Sequence, residues 1–529
     1  MKHYTLNTSK SQDKLWFALR FLHPALRGDA HFQSLYIDNI SVFCYDYFIL
    51  SLFVGIRLPK TVQFACIIPE VLSMDLNHCV SALEDKLIAC LQENLRIPSV
   101  QGDAEPHAPY GAEVRRSLEH VLSAAEALGF RTENVDNHLG WCEYGEGDEM
   151  IAVLGHLDVV PAGDGWTVDP YGAEISDGKI WGRGTTDDKG PTIASLFALA
   201  ALRDSGLPIS KRIRLLFGCN EETGSADVRY YLAKGGEIPV MGFTPDGEYP
   251  VINGEKGIVN VTFGTDYSQE DDLRLISIQG GTAPNVVPAH AIAKISCSPL
   301  TAARLCALKA KGIRFIPQTY GVLVEADGVS AHGSTPGLGE NAIGRLLQAL
   351  DTLPFEGKLA EVIHFLAAAL GTQTDGTAAG IALHDQVSGG LTLNLGTISA
   401  DETHMSMKIN YRYPVTFRYE DCGPVLNKTF TDAGFIIENE FHKPKLYVPE
   451  DSALVKTLLQ VYREQTGLEG SAKCIGGGTY AKMLPNILAF GPIFPGDEVR
   501  EHKPDEYISI ENLMKNTQIY AHAMYAMAK

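Results

Sequence analysis

No Cys-x-x-Cys pair occurs in the 529 residues, and the ten cysteines are scattered from Cys44 to Cys474. This excludes a zinc ribbon and a thioredoxin-type redox motif, and it fits reduced thiols in a cytosol better than a disulfide framework. Basic residues are scarce: 44 Lys and Arg stand against 64 Asp and Glu, a formal charge of −20. Such a surface repels phosphate backbones and anionic lipid, so neither nucleic acid nor a membrane surface is expected as a partner. Long apolar runs are missing as well. Tyr47–Ile56 is about half the ~20 residues that a membrane span needs, and Asp38 and Asp46 interrupt any longer reading. It also lies too far into the chain, without a small-residue cleavage site, for a signal peptide. A cytoplasmic location is expected.

What remains is an ordinary globular balance, 45% hydrophobic and 20% charged, long enough for about three domains at ~100–200 residues each. Residues 1–73 have no sustained periodicity. They read as an N-terminal appendage, poorly ordered or not native, with the functional protein beginning near Met74. From there Val80, Leu83, Leu87, Ile88 and Leu91 recur at helical spacing until Pro98. Ala112–Leu128 reads as a helix ending at Gly129, and Ile193–Leu202 as an apolar helix between Pro191 and Gly206. Met150–Leu154, Arg212–Gly218 and Val240–Phe243 read as buried strands. This alternation predicts an α/β domain with a mostly parallel central sheet. After Gly257 the texture turns towards β, with helices near 301–311 and 340–353, and returns to the α/β style near 446. The expected division is a catalytic domain in two parts, 74–256 and 446–529, with an α+β domain inserted at 257–445.

Three of the strands run into polar residues: Gly155-His156-Leu157-Asp158, Asn220-Glu221-Glu222-Thr223-Gly224 and Thr244-Pro245-Asp246. Ligands of open α/β sheets bind beyond the carboxyl ends of the strands, so these residues can converge. A fourth group, Gly182–Gly190, carries Asp187 in the loop before the apolar helix. One histidine and four carboxylates so placed suggest a dinuclear metal site for zinc, manganese or cobalt. A metal pair needs a bridging carboxylate, and a further carboxylate must stay unligated to take a proton from water. Glu221-Glu222 offers one ligand and one base. Alone, Asp187-Asp188 would read as charge at a helix start and Asp246 as a turn residue. Their joint occurrence in this order is the signal.

The series GHLDVVP, GRGTTDDKG, CNEETGS, TPDGEYP resembles the di-zinc exopeptidase family that includes the ArgE/DapE deacylases, aminoacylase and carnosinase, and within it the dipeptidase V (Xaa-His dipeptidase, carnosinase-like) branch, over about residues 75–525. The resemblance implies a metal-dependent dipeptidase with a lid and two divalent metal ions, zinc foremost. His156 and Asp246 would bind one ion, Glu222 and His502 (in REHKPDE) the other, and Asp187 would bridge them. Asp158 would orient the His156 imidazole, and Glu221 would act as base and then acid on a bridging water. In the lid, His332 (in GVSAHGS) would stabilise the oxyanion and Asn285 (in GGTAPN) would contact substrate. Arg412 (in NYRYP) would clamp the substrate carboxylate, with Gly477, Gly478 and Thr479 of GGGTY adding further donors. A long lid implies a monomer acting on small peptides. An N-acyl-amino-acid deacylase, a carboxypeptidase for longer peptides and a non-catalytic binding module are the alternatives.

Overall fold

The structure is a computed structural model that describes residues 75–269 and 272–529. The appendage at 1–73 and the start near Met74 lie outside the described residues. The larger sheet has the strands Met150–His156 (β1), Arg212–Gly218 (β2) and Met241–Thr244 (β3) at its centre. β1 runs parallel to β2 and β3, and Ile487–Ala489 continues the parallel run beyond β3. Leu139–Tyr144 beside β2 and Ile252–Glu255 beyond Ile487–Ala489 are antiparallel to their neighbours. Every residue of β1 is buried, which is why it reads as a continuous apolar run and not as an alternating one.

Helix α1 (Lys189–Ser205) packs against this sheet with nearly its whole circumference buried. It ends at Gly206 in the left-handed conformation (φ 69°), as the glycine predicted. Lys189 is fully buried, and its Nζ donates to the carbonyls of Asn94 (2.9 Å) and Ile97 (2.7 Å). Burial pushes its pKa down to about 7. The lysine thereby adds donors to two carbonyls at and just beyond the end of the helix Glu84–Leu95, where the regular helical donors run out.

The second sheet has eight antiparallel strands, all between Gly257 and Lys443, whereas the first draws strands from both sides of that span. Val259, Val261 and Phe263 of the strand Gly257–Asp266 point into a hydrophobic cluster with Leu346, Leu350, Val362 and Phe430 from the covering helices. Strict alternation therefore turns Ile258 and Asn260, with their cross-strand partners Arg412 and Asn410, to the opposite face. That cluster is distinct from the one around α1 and β1, and on this distribution we place an inserted lid domain at 257–445. Four helices, Ala226–Ala233, Gly357–Ala369, Gly423–Asp432 and Ile510–Ala528, add to the elements read from sequence. The predicted first helix is broken at Ala82–Leu83.

Close approach of α1 to β1 depends on Gly155. A Cβ there would lie 2.0 Å from Thr192 Oγ1 and 2.8 Å from Asp188 Oδ2. Gly155→Ala should destabilise the protein by ~1–3 kcal/mol through overpacking, measured by denaturant unfolding. An unchanged midpoint would contradict this packing.

Candidate metal centre

β1, β2 and β3 are parallel, so their carboxyl ends share one edge of the sheet. His156 is the last residue of β1, Glu221 and Glu222 follow β2 by three and four residues, and Asp246 follows β3 by two. Asp187 arrives from the loop before α1. His502, from a loop near the C-terminal helix, completes the set with its backbone in the left-handed region (φ 61°).

The ligand atoms fall into two groups that share one residue. His156, Asp187 and Asp246 offer atoms all within 4.8 Å of one another, and so do Asp187, Glu222 and His502. Asp187 divides its oxygens between them: Oδ1 lies 3.0 Å from His156 Nε2, and Oδ2 lies 2.9 Å from His502 Nε2. His502 Nε2 is also 3.2 Å from Glu222 Oε1. His156 Nε2 is buried and makes no hydrogen bond despite that short separation. The two atoms converge on shared space instead of bonding to each other, as ligands of a common cation do. Imidazole and carboxylate donors in this number suit divalent zinc, manganese or cobalt.

The local electrostatics call for positive charge. Burial, reinforced by neighbouring carboxylates, holds Asp246 well above the usual carboxylate range and pushes Glu221 up to about 8. Glu222 is raised for the same reasons. Asp187 is held low in spite of burial by the two histidines. Burial alone would lower His156, but Asp158 and Asp187 hold it well above its ordinary value. Contacts with Asp187 and Glu222 push His502 up to about 11.

Buried carboxylates outside the ligand set hold the ligand-bearing loops. Asp227 accepts from the backbone N–H groups of Cys219 (2.6 Å) and Asn220 (3.0 Å), and Asp158 from those of Glu221 and Glu222 (both 3.1 Å). Four consecutive amides of the glutamate turn are thus fixed. Asp158 also orients His156, but through its main-chain carbonyl, 2.9 Å from Nδ1; its carboxylate stands 3.6 Å away. Glu506 accepts from the amides of Gly184 (3.1 Å), Thr186 (2.9 Å) and Asp187 (3.3 Å), with Arg183 Nη1 at 2.6 Å as its counter-ion. Glu506, Asp227 and Tyr480 were not singled out from sequence. Tyr480 donates to Asp227 and sets its ring edge-on to His156. The only sequence signal was that Glu506 and Tyr480 lie inside quoted motifs.

Residues of the second domain approach the glycine loop Gly476–Gly478. Arg412 is buried, donates from Nη1 to Gly476 O (2.5 Å) and from Nε to Asn410 Oδ1 (3.2 Å), and is pushed down to about 10 by burial. A Cβ on Gly476 would lie 2.8 Å from the Ser334 side chain, so the segment bearing His332 sits against the glycine loop. Partial burial, and then the charges of Arg412 and His502, hold His332 below its ordinary value. His332 Nδ1 lies 2.6 Å from Ser334 Oγ and 3.4 Å from the Ser334 amide nitrogen; with Nδ1 accepting from Ser334, Nε2 would carry the ring proton. Asn285 is exposed beside it. Thr479 departs from expectation: its N–H and hydroxyl both serve buried Glu255, at 3.1 and 2.8 Å. A Cβ on Gly477 would meet nothing closer than 3.5 Å, and one on Gly478 would meet only the Lys482 side chain.

A model of the family described as Peptidase family M20/M25/M40 matches residues 152–526. A Bacillus subtilis protein named "Putative dipeptidase YtjP" is 39% identical over 460 residues, covering 84% of this chain and 98% of its own. A Staphylococcus haemolyticus protein with a name of the same form, SH1171, is 35% identical over 463 residues, covering 85% of this chain and 98% of its own. Among solved structures, human carnosine dipeptidase 1 superposes with a TM-score of 0.52 at 16% identity, over 85% of this chain and 98% of its own. Dug1p of Saccharomyces cerevisiae, described as a di-peptidase, gives 0.51 at 15%, with the same coverage. At those identities the two structures speak to the fold. Among the described residues no helix is long and apolar enough to cross a membrane.

Glu221 and Glu501, each raised from 4.5 to about 8, take up protons on folding between those values, and His502 does so above 6.5. The native chain then binds more protons than the unfolded one, so stability falls as pH rises through this window. The thermal midpoint of chelator-stripped protein should fall from pH 5 towards pH 8, and added Zn²⁺ or Mn²⁺ should reverse the fall. A flat profile that cation leaves unmoved would contradict the site.

Proposed function

Because the chain belongs to peptidase family M20/M25/M40 and is an enzyme that hydrolyses peptide bonds, we propose that its substrates are free dipeptides, broad in sequence and including β-Ala-His types. The observation that carries the reading is the division of the Asp187 carboxylate between two ligand groups. His156, Asp187 and Asp246 would hold one divalent ion, and Asp187, Glu222 and His502 the second, with zinc foremost and manganese or cobalt as alternatives. Bound there, the pair would polarise the scissile carbonyl and lower the pKa of the attacking water.

The chain's own groups account for the proton transfers and for orientation. Glu221 lies beside the ligands without belonging to either group. Next to Glu222 in the chain and free of both groups, its carboxylate is placed to accept the water's proton and pass it to the leaving amine. His332, neutral with its proton on Nε2, supplies a hydrogen bond to the oxyanion. Arg412 Nη2 makes no hydrogen bond among the described residues, and it takes the C-terminal carboxylate of the substrate together with the backbone of Gly477 and Gly478. Thr479 supports this loop through Glu255. Asn285 contacts the substrate from the lid. We place the enzyme in the cytosol as a monomer; the close approach of the Ser334 side chain to Gly476 of the same chain supports a lid that serves its own cleft. A dimer mass by light scattering would contradict that.

Glu221→Ala should lower kcat by ~10³-fold, within the range for loss of a general base, while metal content stays at the wild-type value. Loss of metal would exchange the roles of Glu221 and Glu222. With Zn²⁺ or Mn²⁺ restored to stripped enzyme, a free dipeptide should be cleaved and its N-acetyl form and the tripeptide should not. Preference for the acetylated substrate would make the protein a deacylase.

A further inference from the structure

We propose that Asn394 is a positioning residue that fixes Asn285 and His332 as one rigid pair over the cleft; this rests on the dipeptidase reading, in which those two side chains face the substrate. Asn394 belongs to the strand Thr392–Ala400 and is 2% exposed. It stands opposite Asn410, on the sheet face that also carries Arg412. Its Nδ2 donates to Pro284 O and to Val286 O, both at 2.9 Å. These are the carbonyls on either side of Asn285. Its Oδ1 accepts from Asn341 Nδ2 (3.3 Å), which also donates to Leu395 O (2.8 Å). Asn341 is anchored in turn, because its Oδ1 caps the helix Ala342–Asp351 by accepting from Gly344 N (3.0 Å). With two carbonyls on one side and a donor on the other, the amide has a single orientation that satisfies all its partners.

The turn held by Asn394 is tied directly to the histidine segment. Gly333 N donates to Asn285 O (2.7 Å), Val287 N donates to Ala331 O (2.8 Å), and Val286 forms an isolated bridge with His332. The turn also lies flush on the strand, since a Cβ on Gly396 would come within 2.4 Å of Pro284 Cα. Asn285 and His332 themselves stay exposed. One buried amide therefore sets the height and angle of a segment pair whose side chains are free for a ligand. Replacing it by a carboxylate of the same shape puts an oxygen against two carbonyl oxygens, and replacing it by a methyl group leaves both carbonyls without their donor.

The test is a double-mutant cycle in the metal-loaded full-length enzyme, with Asn394→Asp and Asn394→Ala each made alone and combined with His332→Ala. Displacing a positioned group typically costs ~10²-fold in rate. Each Asn394 variant alone should lose about that in kcat on a free dipeptide, with KM changed less than ~3-fold. In the His332→Ala background the same change should cost at least ~10-fold less, the remainder being the share carried through Asn285. A residue that merely supports the fold would give the same factor in both backgrounds, and that result overturns the proposal, as does an unchanged kcat. Hydrogen exchange at the Gly333 amide gives an arm independent of turnover: it should quicken ~10-fold or more in either variant, as loss of a local bond allows, and unchanged exchange overturns the proposal. If the wild-type enzyme cleaves no dipeptide with metal present, the dipeptidase reading fails, and the exchange measurement still decides whether Asn394 holds the pair.

Discussion

The carboxylate of Asp187 has to face two ways at once, and much of the surrounding structure serves that requirement. An acid at the crowded end of a parallel sheet is costly to desolvate and is repelled by the acids near it. Two histidines, one from β1 and one from a loop more than three hundred residues later, supply opposite charge on its two sides. Its backbone N–H goes to Glu506, itself neutralised by Arg183. The next residue, Asp188, accepts from the amide of His156 and from Thr192, so the loop and β1 are fixed to each other. Lys189 then anchors the start of α1 to the end of the helix Glu84–Leu95.

A pattern recurs around this centre: acids that bind no ligand accept hydrogen bonds from the backbone of those that would. Glu506 does so for 184–187, Asp158 for 221–222 and Asp227 for 219–220. Main-chain amides are well suited to the task, because they satisfy a buried carboxylate without adding mobile side chains. Tyr480 joins the glutamate turn to the glycine loop, since it follows Thr479, bonds Asp227 and packs on His156. The turn bearing Glu221 and the loop bearing Gly477 and Gly478 thereby share one support.

The parts of the molecule legible in sequence are those in which local pattern and chemistry coincide. β2 is read with its observed limits because its apolar run lies buried between strands on both sides, β1 parallel and Leu139–Tyr144 antiparallel. His156, Glu222 and Asp246 stand out because strand ends turn abruptly polar, and Asp187, in the loop before α1, because it occurs in order with them. His502 has no such local signal and was reached through resemblance alone. Glu506 and Asp227 have no such signal, because a carboxylate that accepts backbone amides looks the same in sequence as one on the surface. Asn394 lies in a run that reads as an ordinary strand, and its partners are more than a hundred positions away. Thr479 carried an expected substrate contact, yet Glu255, a strand residue without any motif, takes both of its donors. The break at Ala82–Leu83 shows how an unbroken apolar spacing can span two helices.

Calorimetric titration of chelator-stripped full-length protein with Zn²⁺, for the wild type and Asp187→Ala, tests the central claim most directly. A carboxylate shared by two ligand groups predicts two equivalents per wild-type chain and weakening of both in the variant. A wild type that takes up one equivalent, or a variant that keeps one site at wild-type affinity, would contradict the account.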